Sequence, residues 1–181
     1  MNLGYAITSA LRRMAVVLGF VSVVNVGFQP LETEIHGGML HLSAQLEGAV
    51  TEEVRALIEG ASAVEIRYVI SELDRDGEQR EYVVSKRIAL DTLAEEYHVT
   101  RSSAPNESAE GIVLSSTHFD RARNELTRLD YRTERSGLSA VVVKARLYVP
   151  GVQDDSLVES LWAGQTPTAA VRLREDEGVQ E

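Results

Sequence analysis

An antiparallel hairpin in residues 64–88 decides the fold of this chain. The stretch reads VEIRYVISELDRDGEQREYVVSKRI, and apolar side chains alternate with polar ones on both sides of a turn. A two-residue turn at Asp76-Gly77 would place Ile66 opposite Arg87, whereas a three-residue loop over 75–77 with Gly77 left-handed matches apolar with apolar side chains. The second register is predicted, and it pairs Val64 with Ile88, Tyr68 with Val84, Ile70 with Tyr82 and Glu65 with Arg87. Its one mismatch sets Lys86 opposite Ile66, which predicts a lysine near the rim of the sheet.

A second hairpin is predicted around Gly37-Gly38. A two-residue turn there sets Ile35 opposite Leu40, Thr33 opposite Leu42 and Leu31 opposite Ala44. One face of this hairpin is then apolar. The other face carries Glu32, Glu34, His36, Met39, His41 and Ser43.

The rest of the chain continues the pattern of short strands with three helical interruptions. Further strands are predicted at 96–100, 138–149 and 168–173, and residues 101–110 are predicted to form a polar loop. Helices are predicted to begin at Thr51, at Thr117 and at Asp155 or Ser156. The predicted fold is α+β and β-rich: an antiparallel, two-sheet, sandwich-like domain with two or three short helices.

The composition excludes several classes of protein. The 181 residues include no cysteine, which excludes disulfides, thiolate catalysis and cysteine-ligated zinc. With 28 acidic against 18 basic residues, the chain also lacks the basic surface that nucleic acids require. Residues 1–30 contain two arginines and no acid, so the net charge of −10 becomes −12 over residues 31–181.

The N-terminal segment is more apolar than the rest of the chain. Arg12 and Arg13 precede an apolar run over residues 14–28, which is typical of a secretory signal or a membrane anchor. A buried core strand or helix is the alternative for this valine-rich run. The predicted organisation is a signal peptide or anchor over residues 1–30, one β-rich domain over 31–174 and a flexible acidic tail over 175–181.

Taken in order, several segments resemble domain-of-unknown-function family 4390, a family of bacterial envelope proteins. The segments are Leu40–Leu46, Thr51–Val54 with Gly60, Ala89–Arg101, Phe119–Ala122, Val143–Leu147, and Ser160–Trp162 with Thr166. The resemblance implies an N-terminal signal or anchor and a position near sensor kinases, whose genes often lie beside those of family members. It implies no activity and no site residues. This chain departs from the family in the short Asp74–Gly77 connection, where the family has an aromatic and arginine-rich linker.

One set of side chains resembles a metal site. The predicted first hairpin places Glu34 directly opposite His41, with His36 one diagonal away on the same face. Two imidazoles and a carboxylate are ligands that zinc accepts. A polar solvent-exposed face is the simpler interpretation, and no metal or other cofactor is expected.

Other candidate groups have simpler interpretations. Asp74, Asp76 and Glu78 fit a hairpin turn better than a calcium loop, and His118 with Asp120 fit a helix start better than an acid–base pair. Trp162, the single tryptophan, is predicted to pack in the core, with an exposed anchor for a partner as the alternative.

The sequence therefore favours a non-catalytic, exported domain that binds another protein through a strand edge or a loop end. It is expected in the periplasm or anchored in the cytoplasmic membrane, touching the bilayer only through residues 14–28. The expected partner is an envelope or inner-membrane protein, with a sensor kinase as one candidate. A carrier that holds an apolar ligand or lipid between its sheets is the alternative.

Overall fold

Two antiparallel sheets face each other across one core in the computed structural model, which describes residues 25–104, 108–134, 136–152 and 155–173. The strands are β1 (Gly27–Phe28), β2 (Glu32–His36), β3 (Met39–Glu47), β4 (Val64–Asp74), β5 (Gln79–Asp91), β6 (Glu96–Ala104), β7 (Ser108–Ser116), β8 (Arg128–Glu134), β9 (Leu138–Tyr148) and β10 (Thr168–Arg172). The helices are α1 (Glu52–Glu59), α2 (Phe119–Thr127) and α3 (Asp155–Leu161). The predicted sandwich-like, β-rich fold is confirmed.

The two sheets differ in width. The large sheet has six strands in the order β10-β9-β4-β5-β6-β7. In the small sheet, β3 is central, with β8 along one edge and the pair β1 and β2 along the other. The small sheet is therefore narrower than the sheet it covers.

The predicted register of the β4–β5 hairpin is confirmed. Val64 pairs with Ile88, Tyr68 with Val84, Ile70 with Tyr82 and Glu65 with Arg87. Gly77 has a φ of +85°, which is the left-handed conformation that the three-residue loop requires. The Asp74 carboxylate accepts hydrogen bonds from the Asp76 and Glu78 amides, so these acids form a turn.

The first hairpin also has its predicted register, with Ile35 opposite Leu40 and Thr33 opposite Leu42. Leu40 and Leu42 are fully buried, but every residue of β2 is exposed, including Ile35 at 44%. The alternation of apolar and polar residues therefore predicted the pairing of the two strands. How deeply the side chains of β2 are buried depended instead on how far the opposing sheet extends.

Two predictions for the middle of the chain are wrong. Residues 101–110 do not form one polar loop, because β6 continues to Ala104 and β7 begins at Ser108. Helix α2 begins after His118 rather than being capped by Thr117. Residues 101–110 contain alanine as their only apolar residue type, so the end of β6 and the start of β7 resemble a loop in sequence.

Other elements begin where they were predicted. Thr51 caps α1 by accepting a hydrogen bond from the Val54 amide, and Val54, Leu57 and Ile58 form the buried side of the helix. Strands β9 and β10 lie within the predicted ranges.

The N-terminal boundary of the folded domain lies before residue 31. Val26 is 5% exposed and its amide donates to the Gln165 side chain at 2.8 Å, and β1 pairs with β3. Residues 26–28 therefore pack with the sandwich. Most of the apolar run and the acidic tail lie outside the described residues. Among the described residues, no helix is long and apolar enough to cross a membrane.

Candidate functional site

The outer edge of β8 presents main-chain groups that no other strand pairs with in the described part of the chain. Gln29 donates its amide to the Gln45 carbonyl, so the main-chain groups of Gln45 point toward β1. Because main-chain direction alternates along a strand, Leu40, Leu42 and Ala44 point the other way, toward β8. Their partners are Thr133, Tyr131 and Leu129. The amides and carbonyls of Asp130, Arg132 and Glu134 therefore lie on the open edge.

A side-chain contact supports this assignment. The guanidinium of Arg101, on β6 of the opposite sheet, donates to the Asp130 carbonyl at 3.1 Å. That carbonyl is therefore accessible from outside the β3–β8 ladder. The described residues pair β8 with β3 alone, without a register shift over the seven residues of the strand.

Two cavities lie along this edge and another lies beyond the start of β8, and together we call the three the β8 furrow. A cavity of 970 Å³ lies between α2 and the end of β3 and reaches Arg128. A second, of 590 Å³, lies between β8 and the ends of β5 and β6, from Asp130 to Thr133. A third, of 550 Å³, continues past Thr133 and Glu134 to the β4–β5 loop. The furrow exists because the six-stranded sheet extends beyond β8.

The charge of the furrow changes sign along its length. In the first two cavities five arginines face three carboxylates: Arg101, Arg121, Arg123, Arg128 and Arg132 against Glu47, Glu125 and Asp130. In the third cavity five carboxylates face two arginines: Glu72, Asp74, Asp76, Glu78 and Glu134 against Arg75 and Arg80. The end near α2 is thus basic, although the chain as a whole is acidic.

An ion pair between a buried lysine and a half-buried glutamate lies beneath the basic end. The side chain of Lys86 is 1% exposed, and its Nζ donates to the Glu125 carboxylate at 2.6 Å and to the Glu125 main-chain oxygen at 2.7 Å. Burial lowers the pKa of Lys86, and the hydrogen bond and the charge of Glu125 oppose that shift. The prediction that Lys86 lies near the sheet rim is wrong. Its ammonium group instead stabilises the carbonyl end of α2, where a cation is favourable.

Tyr68 completes this helix end. Its hydroxyl donates to the Leu126 carbonyl at 3.0 Å, and burial raises the pKa of the phenol. Thr127 donates back to the Arg123 carbonyl at 2.9 Å. The last carbonyls of α2 are therefore held by side chains from β5, from β4 and from the helix itself.

A second buried polar pair lies at the acidic end of the furrow. Glu72 is 3% exposed and accepts a hydrogen bond from the Tyr131 hydroxyl at 2.7 Å, which joins β4 to β8 across the sandwich. Burial, and then the bond to Glu72, raises the pKa of Tyr131. Tyr82 packs against Tyr131 with ring centroids 5.9 Å apart. These contacts fix the position of β8 relative to the large sheet.

The candidate metal ligands do come together. Glu34 pairs with His41 across the hairpin, the His36 Nε2 lies 3.4 Å from the Glu34 carboxylate, and the two imidazole rings are 5.9 Å apart. The Glu34 and His36 side chains are more than 70% exposed. Within the described ranges, no group of three histidines or acids has a geometry that could hold a metal ion. The hairpin face therefore gains no support as a metal centre.

Trp162 lies in the core. It is 2% exposed, and its Nε1 donates to the Ala49 carbonyl at 2.8 Å. The core role is confirmed, and the alternative of an exposed anchor for a partner is wrong. Of the weaker candidates, His118 caps α2 without a side-chain hydrogen bond, and Asp120 pairs with Arg123 at 3.3 Å.

The sequence contained a signal for β8 that the prediction did not use. Leu129, Tyr131 and Thr133 alternate with charged residues, which is the pattern of a half-buried strand. The position of this strand at an open edge had no signal in the sequence, since it depends on the widths of two sheets.

Comparison of the chain with protein-family models, with curated proteins and with solved structures gives no match.

Proposed function

We propose that this chain is a non-catalytic binding domain that takes an extended segment of another protein as an additional strand beside β8. The observation that carries the proposal is the open edge itself, where Asp130, Arg132 and Glu134 direct main-chain groups into the furrow. Strand addition of this kind gains affinity from main-chain hydrogen bonds and specificity from alternate side chains.

Other edges of the sandwich are less suited to strand addition. Strand β7 pairs with β6 through two register shifts, and such irregularities protect an edge from pairing. Strands β2 and β10 have five residues each, against seven in β8. The β8 edge is longer than those of β2 and β10, it is regular where β7 is not, and it lies above the surface of β6.

The buried and half-buried ionisable groups support a binding role rather than catalysis. Lys86 and Glu125 hold the end of α2, and Glu72 and Tyr131 join the two sheets. Each of these groups has a structural hydrogen bond that accounts for its burial.

The cellular setting is part of the same proposal. The apolar run and the resemblance to the envelope family support export, with the domain in the periplasm or held at the cytoplasmic membrane and a membrane-associated partner. Fractionation with mass measurement of the mature N-terminus tests this setting. An intact chain that is soluble in the cytoplasm would contradict it.

The alternative of an apolar-ligand carrier has less support. The cavities along β8 are open and lined mainly by charged and polar side chains, whereas carriers enclose apolar space.

The experiment that tests strand addition uses two substitutions of one edge residue. Short random peptides are selected by display on the full chain, and their affinities are measured for wild type, Arg132→Pro and Arg132→Ala. Proline removes the outward amide, and an edge strand tolerates it there. We expect Arg132→Pro to weaken binding about tenfold or more and Arg132→Ala to have a much smaller effect.

Hydrogen exchange gives a second readout. The amides of Asp130, Arg132 and Glu134 should become protected when a peptide binds, while those of β7 should not. Failure to select any peptide, or equal affinity for Arg132→Pro and wild type, would refute strand addition at β8.

A further inference from the structure

The β8 furrow has a polarity that a bound strand must match. Its basic end lies at the start of β8, near Arg128 and α2, and its acidic end lies beyond Glu134, at the β4–β5 loop. The seven residues of β8 separate these ends by about 20 Å. That distance exceeds the screening length of about 8 Å at physiological ionic strength, so each end acts on its own part of a ligand.

The direction of the bound strand follows from the sheet. Every strand pair in the described part of the chain is antiparallel. An antiparallel strand beside β8 would begin at the acidic end of the furrow and finish at the basic end. Antiparallel pairing is also slightly more stable per residue than parallel pairing.

We infer that the ligand of this domain is an extended segment with basic residues at its start and acidic residues at its end. This inference rests on the proposed function and specifies its ligand. A basic start lies near the exposed side chains of Asp76, Glu78 and Glu134, whereas an acidic end lies near Arg101 and Arg121.

Side chains at the basic end are available for such a ligand. Arg123 and Arg128 already pair with Asp120 and Asp130, whereas Arg121 and Arg132 are exposed. The carboxylate of Glu125 is already neutralised by Lys86 at 2.6 Å. Arg101 is half-buried at the floor of the central cavity and reaches the open edge through the Asp130 carbonyl. A carboxylate at the end of an incoming strand therefore meets more positive than negative charge.

The test compares two synthetic peptides of identical composition. Each has a central alternation of threonine and valine; one begins with two lysines and ends with two glutamates, and the other has the charges reversed. Both are capped at their termini, and their affinities for the full chain are measured by fluorescence anisotropy at low and high salt. We expect the lysine-first peptide to bind about tenfold more tightly at low salt, and the difference to shrink at high salt.

A pair of charge reversals locates the effect. Arg121→Glu at the basic end should reduce the preference for the lysine-first peptide. Arg87→Glu makes the same change in net charge on the outer face of β5, away from the furrow, and should leave the preference intact.

The outcomes separate the two proposals. Equal affinities that both fall with Arg132→Pro would overturn the charge order but leave strand addition in place. Tighter binding of the glutamate-first peptide would overturn the antiparallel orientation. Binding of neither peptide, together with failure of the display selection, would overturn strand addition as well.

Discussion

Replacing Lys86 by methionine tests the polar link between the large sheet and helix α2. Methionine keeps the length and apolar stem of the side chain but removes both hydrogen bonds to Glu125, at 2.6 and 2.7 Å. The substitution leaves a carboxylate and a helix-terminal carbonyl without their donor.

The magnitude follows from the burial of the two partners. A hydrogen bond to a charged group contributes about 1.5–3 kcal/mol, and breaking a fully buried pair costs about 3–5 kcal/mol. The Lys86 side chain is 1% exposed, but that of Glu125 is 32% exposed and can regain water. We therefore expect a loss of about 2–3 kcal/mol, equivalent to a fall in Tm of roughly 5–10 °C for a domain of this size.

Urea unfolding of the full chain measures this loss. Arg87→Met is the matched control, because Arg87 follows Lys86 in the same strand but lies on its exposed face. This substitution should change the free energy of unfolding by less than about 0.5 kcal/mol. The double variant Lys86→Met with Glu125→Gln should lose less than the two single variants together. A loss below about 0.5 kcal/mol for Lys86→Met, or strict additivity in the double variant, would refute the proposed coupling.

Three further predictions concern the core and the turns. Trp162→Phe should lower the free energy of unfolding in urea by about 2–3 kcal/mol, because it removes buried volume and leaves the Ala49 carbonyl unpaired. The fluorescence of the wild-type tryptophan should stay blue-shifted when peptide is added, and a red shift would contradict the buried position. The pKa of Tyr68 is raised in the folded state, so the phenol ionises first in the unfolded chain. Its contribution to stability is therefore complete below a pH of about 10 and is lost as the pH rises further. The difference in unfolding free energy between wild type and Tyr68→Phe should shrink above that pH, and a constant difference would refute this account. Gly48→Ala should lower the Tm of the domain more than Gly77→Ala does. Both glycines have a positive φ, but only a Cβ at position 48 would collide with the Asn25 carbonyl. Equal shifts in Tm would contradict this close approach.

Both hairpin registers could be predicted from sequence, because they depend on local information. The loop over 75–77 needs a left-handed glycine, and a slip of one residue would turn every side chain to the wrong face. The same reasoning placed the Thr51 helix start, where a capping side chain precedes two acids.

Environments that a distant segment of the chain creates could not be predicted from the sequence. Lys86 is a mismatch within its hairpin, and its partner Glu125 lies 39 positions further along the chain. The end of β6 and the start of β7 are read as one loop over residues 101–110, since that segment carries little apolar periodicity. Ile35 has the alternation of a core residue, yet it is 44% exposed because the opposing sheet does not cover it.

The sequence by itself determined an acidic, cysteine-free, β-rich chain and two hairpin registers. These properties depend on composition, on residue alternation and on turn geometry, which act over a few neighbouring residues. The tertiary structure alone decided that Lys86 is buried and that β8 lies at an open edge above a furrow of changing charge. Those features arise because two sheets of unequal width pack together. The width of a sheet depends on which strands pair, and many of those strands lie far apart in the chain.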